Sequence, residues 1–282
     1  MRMKSLLTLF GLVVMAACTS VERAALPKPE VLAGNTWSQS AKPPGQVVDH
    51  RPWTAFLARH VRPDAEGVNR VAYAKVSSRD REGLDRYLAA LQRVQTDRLT
   101  RDQQLAYWIN LYNALTIDVV LDAYPVVSIR DITDSPLPVG PWNQPVARVS
   151  GQTLTLNDIE HRIIRPIFDE PRIHYALNCA AAGCPNLMAR AWTAQKLEAD
   201  LAAAEYAYVH DPRGLRFDEQ GRLVVSKIYA WFREDFADTP EGVLDYLRSV
   251  AGPELEKQLA ATRRISGYDY DWSLNDQAQR VQ

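Results

Sequence analysis

The sequence has no excess charge of either sign. Its 33 lysines and arginines stand against 34 aspartates and glutamates, for a formal net charge of −1. The basic residues do not gather into a stripe, and a nucleic-acid partner would want a basic face, so no nucleic acid is expected. Cysteine is scarce, at three residues, and histidine nearly so, at five. A structural zinc site needs four ligands at characteristic spacings. His174, Cys179 and Cys184 match no such spacing and no fourth ligand stands out, so neither a metal nor a cofactor is expected. No apolar run after the first line approaches the roughly 20 residues of a membrane span. There is no internal repeat, and no second linker interrupts the chain after its first fifty residues. The rest is ordinary globular composition, 46% hydrophobic and 24% charged.

The first line changes the meaning of the cysteines. Arg2 and Lys4 form a short basic region, and Leu6 to Ala17 is an apolar run suited to a signal peptide. The run ends "VMAAC". That ending resembles the lipobox of bacterial lipoproteins, in which cleavage precedes a cysteine that is then lipidated. The expectation is a signal peptide at 1–17 and lipidation of Cys18, with an ordinary secretory signal cut near Ala17 as the alternative. Thr19 and Ser20 follow the cysteine. The lack of an aspartate there favours the outer membrane in the enteric sorting pattern. The protein is therefore expected on the periplasmic face of the envelope, anchored to the membrane through Cys18. Residues 18–47, with "LPKPE" and "AKPPGQ", show no apolar period and read as a flexible tether. Residues 48–282 read as one domain.

Within that domain several helices mark their own starts. "TRDQ" at Thr100–Gln103 has capping-box spacing, and the helix it opens is apolar on nearly every face until Pro125. "NDIE" at Asn157–Glu160 repeats the cap logic, which makes Glu160 an N3 residue whatever else it does. "TPEG" puts a proline at the first turn of another helix. "VSKIYAWFREDF" reads as a single helix capped by Ser226. Short strands are expected at "RVAYAKV", "PVARV", "QTLTL", "RIHYALN", "LRFDE" and "RLVVS". Hairpins turn at Ser150–Gly151 and Gln220–Gly221, and "YDYDW" closes as a strand. Without a regular strand–helix beat the class is α+β, with a small antiparallel sheet packed on the buried central helix.

Four blocks, "YWINLYNAL", "LNDIEHRIIR", "IHYALNCAAAGCP" and "YDYDWSLN", resemble the family called domain of unknown function 547, in the family's order. The resemblance implies an exported or lipid-anchored bacterial protein and leaves the biochemistry open. Plant relatives can carry serine where this chain has Cys184, which implies that the fold does not require a disulfide.

The stretch "RIHYALNCAAAGCPNL" concentrates the reactive side chains. A nucleophilic cysteine needs a base to hold its thiolate and a group to orient that base. Cys179 is the candidate nucleophile, beside small residues that let backbone amides approach a substrate. His174 and His161 are candidate bases, with Glu160 or an asparagine as orienter. On a continuous strand His174 would share a face with Asn178 and not with Cys179, an objection that a turn at Asn178 removes. Asn110 and Asn113 lie on one stripe of the buried helix. With Asn178 they are candidate binding groups, or else they tie down a nearby loop. His50, His60 and His210 read as structural. After lipidation of Cys18 an even pair remains, Cys179 and Cys184, which an oxidising compartment can join as a disulfide.

Two functions stay open. One is an envelope module that binds a protein, peptidoglycan or a small ligand, with Cys179–Cys184 as a staple. The other is a thiol-dependent hydrolase or acyltransferase of the papain or transglutaminase kind using Cys179.

Overall fold

The computed structural model describes residues 22–23, 26–32 and 37–278. The leader 1–17 and Cys18 lie outside the described residues. The fold is α+β, and the chain divides into two compact units. The larger unit comprises Lys28–Ala202 and the terminal stretch that begins at Asp271. The smaller comprises Ala203–Tyr270 and the stretch that ends at Pro27. Both draw on the region 48–282 expected as one domain.

In the larger unit, α1 (Arg51–His60) leads into a two-strand hairpin, β1 (Val61–Pro63) with β2 (Asn69–Val71). The strand expected at "RVAYAKV" stops there, and Tyr73–Lys75 is a 3-10 turn. Helix α2 (Ser78–Leu91) starts on the Ser77 side chain, which accepts from Asp80 N. Helix α3 (Arg101–Ala123) is the central element, buried from Gln104 to Ile117 and again at Val120. Both bonds of its capping box form: Gln103 N donates to Thr100 Oγ1 and Thr100 N donates to Gln103 Oε1. The helix ends as expected before Pro125, whose ring disfavours helical geometry at Tyr124.

Hairpin β3 (Pro145–Val149) and β4 (Gln152–Thr155) turns at Ser150 and Gly151, both at positive φ as a two-residue turn of this kind requires. Strand β3 lies against α3. The cap expected at "NDIE" sits two residues upstream. Thr155 N and Oγ1 donate to the Asp158 carboxylate, and Asp158 N donates back to Thr155 Oγ1. Asn157 makes no cap bond. The next segment, Asp158–Ile164, is a π-helix that passes into α4 (Arg165–Phe168). "RIHYALN" is not a strand. Glu170 caps a 3-10 turn over Pro171–Tyr175, and the proline at its first turn fixes φ for that geometry.

The stretch expected as a flexible tether is held by the units it belongs to: Glu22 and Arg23 pair with Lys227 and Glu234 in the smaller unit, and the later part docks on the larger. Glu30 N and Leu32 N donate to His161 O and Arg162 O. Trp37 is fully buried edge-on to Trp108, and Ala41 N and Gly45 N donate to Leu99 O and Arg98 O.

Helix α5 (Leu197–Val209) carries the chain into the smaller unit. There β5 (Leu215–Phe217) and β6 (Leu223–Ser226) form the expected antiparallel hairpin. The expected single helix after it is two short ones, α6 (Ile228–Trp231) and α7 (Arg233–Phe236). Helix α8 (Pro240–Val250) has Thr239 as cap and proline at its first turn, as expected. Helix α9 (Gly252–Ala260) follows, and β7 (Gly267–Asp269) closes a three-strand sheet in the order β5-β6-β7. The expected single antiparallel sheet is thus three small ones, and β7 runs parallel to β6.

Candidate functional site

The loop that follows the 3-10 turn is shaped by buried amides on α3. Asn113 Nδ2 donates to Ala176 O at 2.9 Å, and its Oδ1 accepts from Asn178 N at 2.8 Å. One side chain thereby satisfies a carbonyl and an amide that have left regular structure. Asn178 repeats the device further along. Its Nδ2 donates to Pro185 O, and its Oδ1 accepts from Ala180 N and from Asn275 Nδ2. Asn275 Oδ1 accepts in turn from the Tyr73 hydroxyl. The terminal stretch pins the loop from its other side. Ala182 N and Gly183 N donate to Ser273 O and Asp271 O, and Asn275 N donates to Ala180 O. Ala180 is held at φ +61°, in the left-handed region that costs a residue with a Cβ some strain.

This framework brings Cys179 and Cys184 together. Their sulfurs lie 2.6 Å apart. Cys184 is 3% exposed, and Cys179 is partly exposed. Cys179 N donates to Cys184 Sγ at 3.2 Å, a contact that favours negative charge on the inner sulfur.

A second group of buried polar side chains lies in the same unit. Glu160 and His174 side chains are 11% and 2% exposed, with Oε1 and Nδ1 3.9 Å apart. The Tyr112 phenol lies within reach of the Glu160 carboxylate, which acts on it electrostatically. Burial pushes the Tyr112 phenol well above its usual range, and the charges of Glu160, Cys179 and Cys184 add to the push. Tyr73 is raised for the same first reason, with Asp276 and the two cysteines adding. The thiols therefore sit within electrostatic reach of two neutral phenols. His161, next to Glu160 in the π-helix, meets Arg165, with Nδ1 3.2 Å from Nη1. A guanidinium only donates, so this nitrogen accepts and the ring proton is on Nε2.

The structure thus separates the candidate residues into groups. Cys179, Cys184, Asn178 and Asn113 share one bonded network. Glu160 joins His174 and, through Tyr112, comes within reach of the thiols. Asn110 belongs elsewhere: its Nδ2 donates to Trp192 O and its Oδ1 accepts from Trp192 N, so it braces a different loop. All three asparagines engage both ends of their amides with the chain itself. They position loops, as buried side-chain amides usually do. Among the described residues no group of three or more His, Cys, Asp or Glu side chains could hold a metal ion.

Every residue of these groups except Tyr73 and the terminal stretch falls in one continuous segment, and that segment has relatives. Residues 96–209 match the family described as protein of unknown function, DUF547. Neither a curated protein nor a solved structure matches the chain. The DUF547 segment holds Asn110, Asn113, Glu160, His161, His174, Asn178, Cys179 and Cys184. Tyr73 and Asn275 reach it from outside.

Tyr112, Tyr73 and Asn275 were missed by sequence reasoning. Tyr112 had a signal, since it lies between two asparagines on a buried helix, where a hydroxyl too must find a partner. Asn275 stands in one of the four recognised blocks. Tyr73 had none, because its partner is 202 positions away.

Proposed function

We propose that this chain is a lipid-anchored protein of the cell envelope, held through Cys18 on the periplasmic face, with the outer membrane as its site. Its larger unit is a module for an envelope protein, peptidoglycan or a small ligand. Cys179 and Cys184 form a disulfide at its chemical centre. The observation that carries the reading is the 2.6 Å separation of the two sulfurs. A disulfide bond is about 2.0 Å long, so a shift of roughly half an ångström closes it. In an oxidising compartment such a pair joins. The closed ring is short, and its effect on the unfolded chain is worth about 2 kcal/mol.

A second reading is favoured by the Glu160–His174 contact and by the partial exposure of Cys179. In it the chain is a thiol-dependent hydrolase or acyltransferase. Cys179 attacks, His174 takes its proton, and Glu160 orients the imidazole.

Alkylation of the protein recovered from cells, with and without reductant and followed by intact mass, tests both. The first reading expects no modification of Cys179 and Cys184 until reductant is added, together with a lipid mass lost on Cys18→Ser. Alkylation of both cysteines without reductant overturns it. Fast alkylation of Cys179 alone at neutral pH selects the second reading.

A further inference from the structure

We propose that Cys179 and Cys184 are an exchangeable couple, in which Cys179 is the sulfur that meets an external thiol or disulfide and Cys184 is the inner, resolving thiol. The inference rests on the disulfide reading and names the substrate class of that site: a thiol that opens the closed bond, or, in the reverse direction, a disulfide that closes the opened pair.

Three observations carry it. The two sulfurs differ in access, since Cys179 is partly exposed and Cys184 is 3% exposed. An incoming thiolate must reach a sulfur along the bond it breaks, so it meets Cys179. The inner sulfur has a donor in place. Cys179 N–H points at Cys184 Sγ at 3.2 Å and stabilises the thiolate that leaves when the bond opens. Finally, the loop does not depend on a covalent bond for its shape. Asn113, Asn178 and the Asp271–Asn275 stretch already fix it through hydrogen bonds at residues 176, 178, 180, 182, 183 and 185. The pair can open and close without remaking the fold, as a working couple must.

The exchange balances. Two external thiols open the bond. The first attacks Cys179 Sγ and releases the Cys184 thiolate. The second attacks the outer sulfur of the mixed disulfide, and the two leave as their own disulfide. In reverse, the Cys179 thiolate attacks one sulfur of an external disulfide, forms a mixed disulfide and releases one thiolate. The Cys184 thiolate then attacks Cys179 Sγ, closes the internal bond and releases the second. The external disulfide gains two electrons and the cysteine pair loses two. The two cysteine protons pass to solvent and on to the released thiolates.

The test uses the full chain, with oxidised glutathione as a small disulfide and a peptide containing one intrachain disulfide as a protein-like one. Adducts are located by peptide mapping, so Cys18 does not confuse the result. Cys184→Ser is expected to hold one stable mixed disulfide at Cys179. Cys179→Ser is expected to react at least tenfold more slowly at Cys184. The parent chain is expected to pass to the internal disulfide and to reopen with excess reduced glutathione. Reaction with the peptide but not glutathione assigns the partner to proteins, and the reverse assigns it to small thiols. Equal reactivity of the two sulfurs, or an internal disulfide that resists reduced glutathione, overturns the proposal. A parent chain that forms no disulfide under oxidant overturns the disulfide reading itself. If a serine variant does not fold, as judged by circular dichroism, reopening of the parent disulfide decides alone.

Discussion

Asn113→Ala probes the link between the central helix and the thiol loop. The side chain is 1% exposed and makes two bonds, to Ala176 O at 2.9 Å and from Asn178 N at 2.8 Å. Alanine strands both backbone groups, on residues each 4% exposed. A buried polar group left without its partner costs ~1–3 kcal/mol, so the pair costs ~2–6 kcal/mol before relaxation. Loop movement recovers part of this, and a loss of about 3 kcal/mol is expected. In urea, with a slope near 3 kcal/mol per molar at most, the unfolding midpoint falls by ~1 M. Asn110→Ala is the control. It strands Trp192 N and O in the same manner, so it loses a similar stability. Only Asn113→Ala is expected to change the rate at which the reduced protein alkylates at Cys179, because only Asn113 holds that loop. A loss below about 0.5 kcal/mol, or equal effects of both variants on Cys179, refutes the reasoning.

Further outcomes follow from the same structure. Thr100→Ala removes the cap acceptor of α3 and lowers stability by ~1 kcal/mol, read by urea unfolding. Gly214→Ala drives a methyl group into the Tyr208 carbonyl, so the smaller unit loses its cooperative melt or the chain fails to accumulate. Burial lowers His50 from its usual 6.5 to about 4, and the Tyr87 hydroxyl bonds its Nδ1. A depressed imidazole means that the folded chain binds fewer protons than the unfolded one between those values. Its contribution is therefore present above pH 6.5 and lost as pH falls towards 4. Asp118, raised to about 6 by burial, acts in the opposite sense over much of that range. The difference between parent and His50→Gln isolates the histidine: the variant's melting temperature should fall less between pH 6.5 and 4.5, as measured by calorimetry.

Local chemistry was legible wherever both partners were near in sequence. Thr100 and Gln103 declared the start of α3, and Ser150–Gly151 declared a hairpin. The buried stripe of α3 also announced its asparagines, although not which backbone they would hold. Legibility failed where a distant segment decided the outcome. "RIHYALN" alternates like a strand, yet no neighbouring strand pairs with it. Pro171 and the Glu170 cap turn it into a 3-10 turn, and Asn113 satisfies its exit. The tether looked aperiodic and polar, and one tryptophan, Trp37, was enough to dock it beside Trp108. At Glu160 the expected capping role gave way to a π-helix. Reciprocal bonds between Thr155 and Asp158 start the segment upstream and leave the Glu160 carboxylate facing His174. The site combines a loop, a helix and the chain terminus, and only the loop's own cysteines were visible as a pair.

The bond between those cysteines is open to direct measurement, because the tryptic peptide Ile173–Arg190 contains both of them. The measurement is its mass in protein alkylated at the moment of cell lysis, without reductant. A peptide lighter than the dithiol by two hydrogen atoms, which gains two alkyl groups only after reduction, is the predicted result. A peptide that already carries two alkyl groups before reduction contradicts the account.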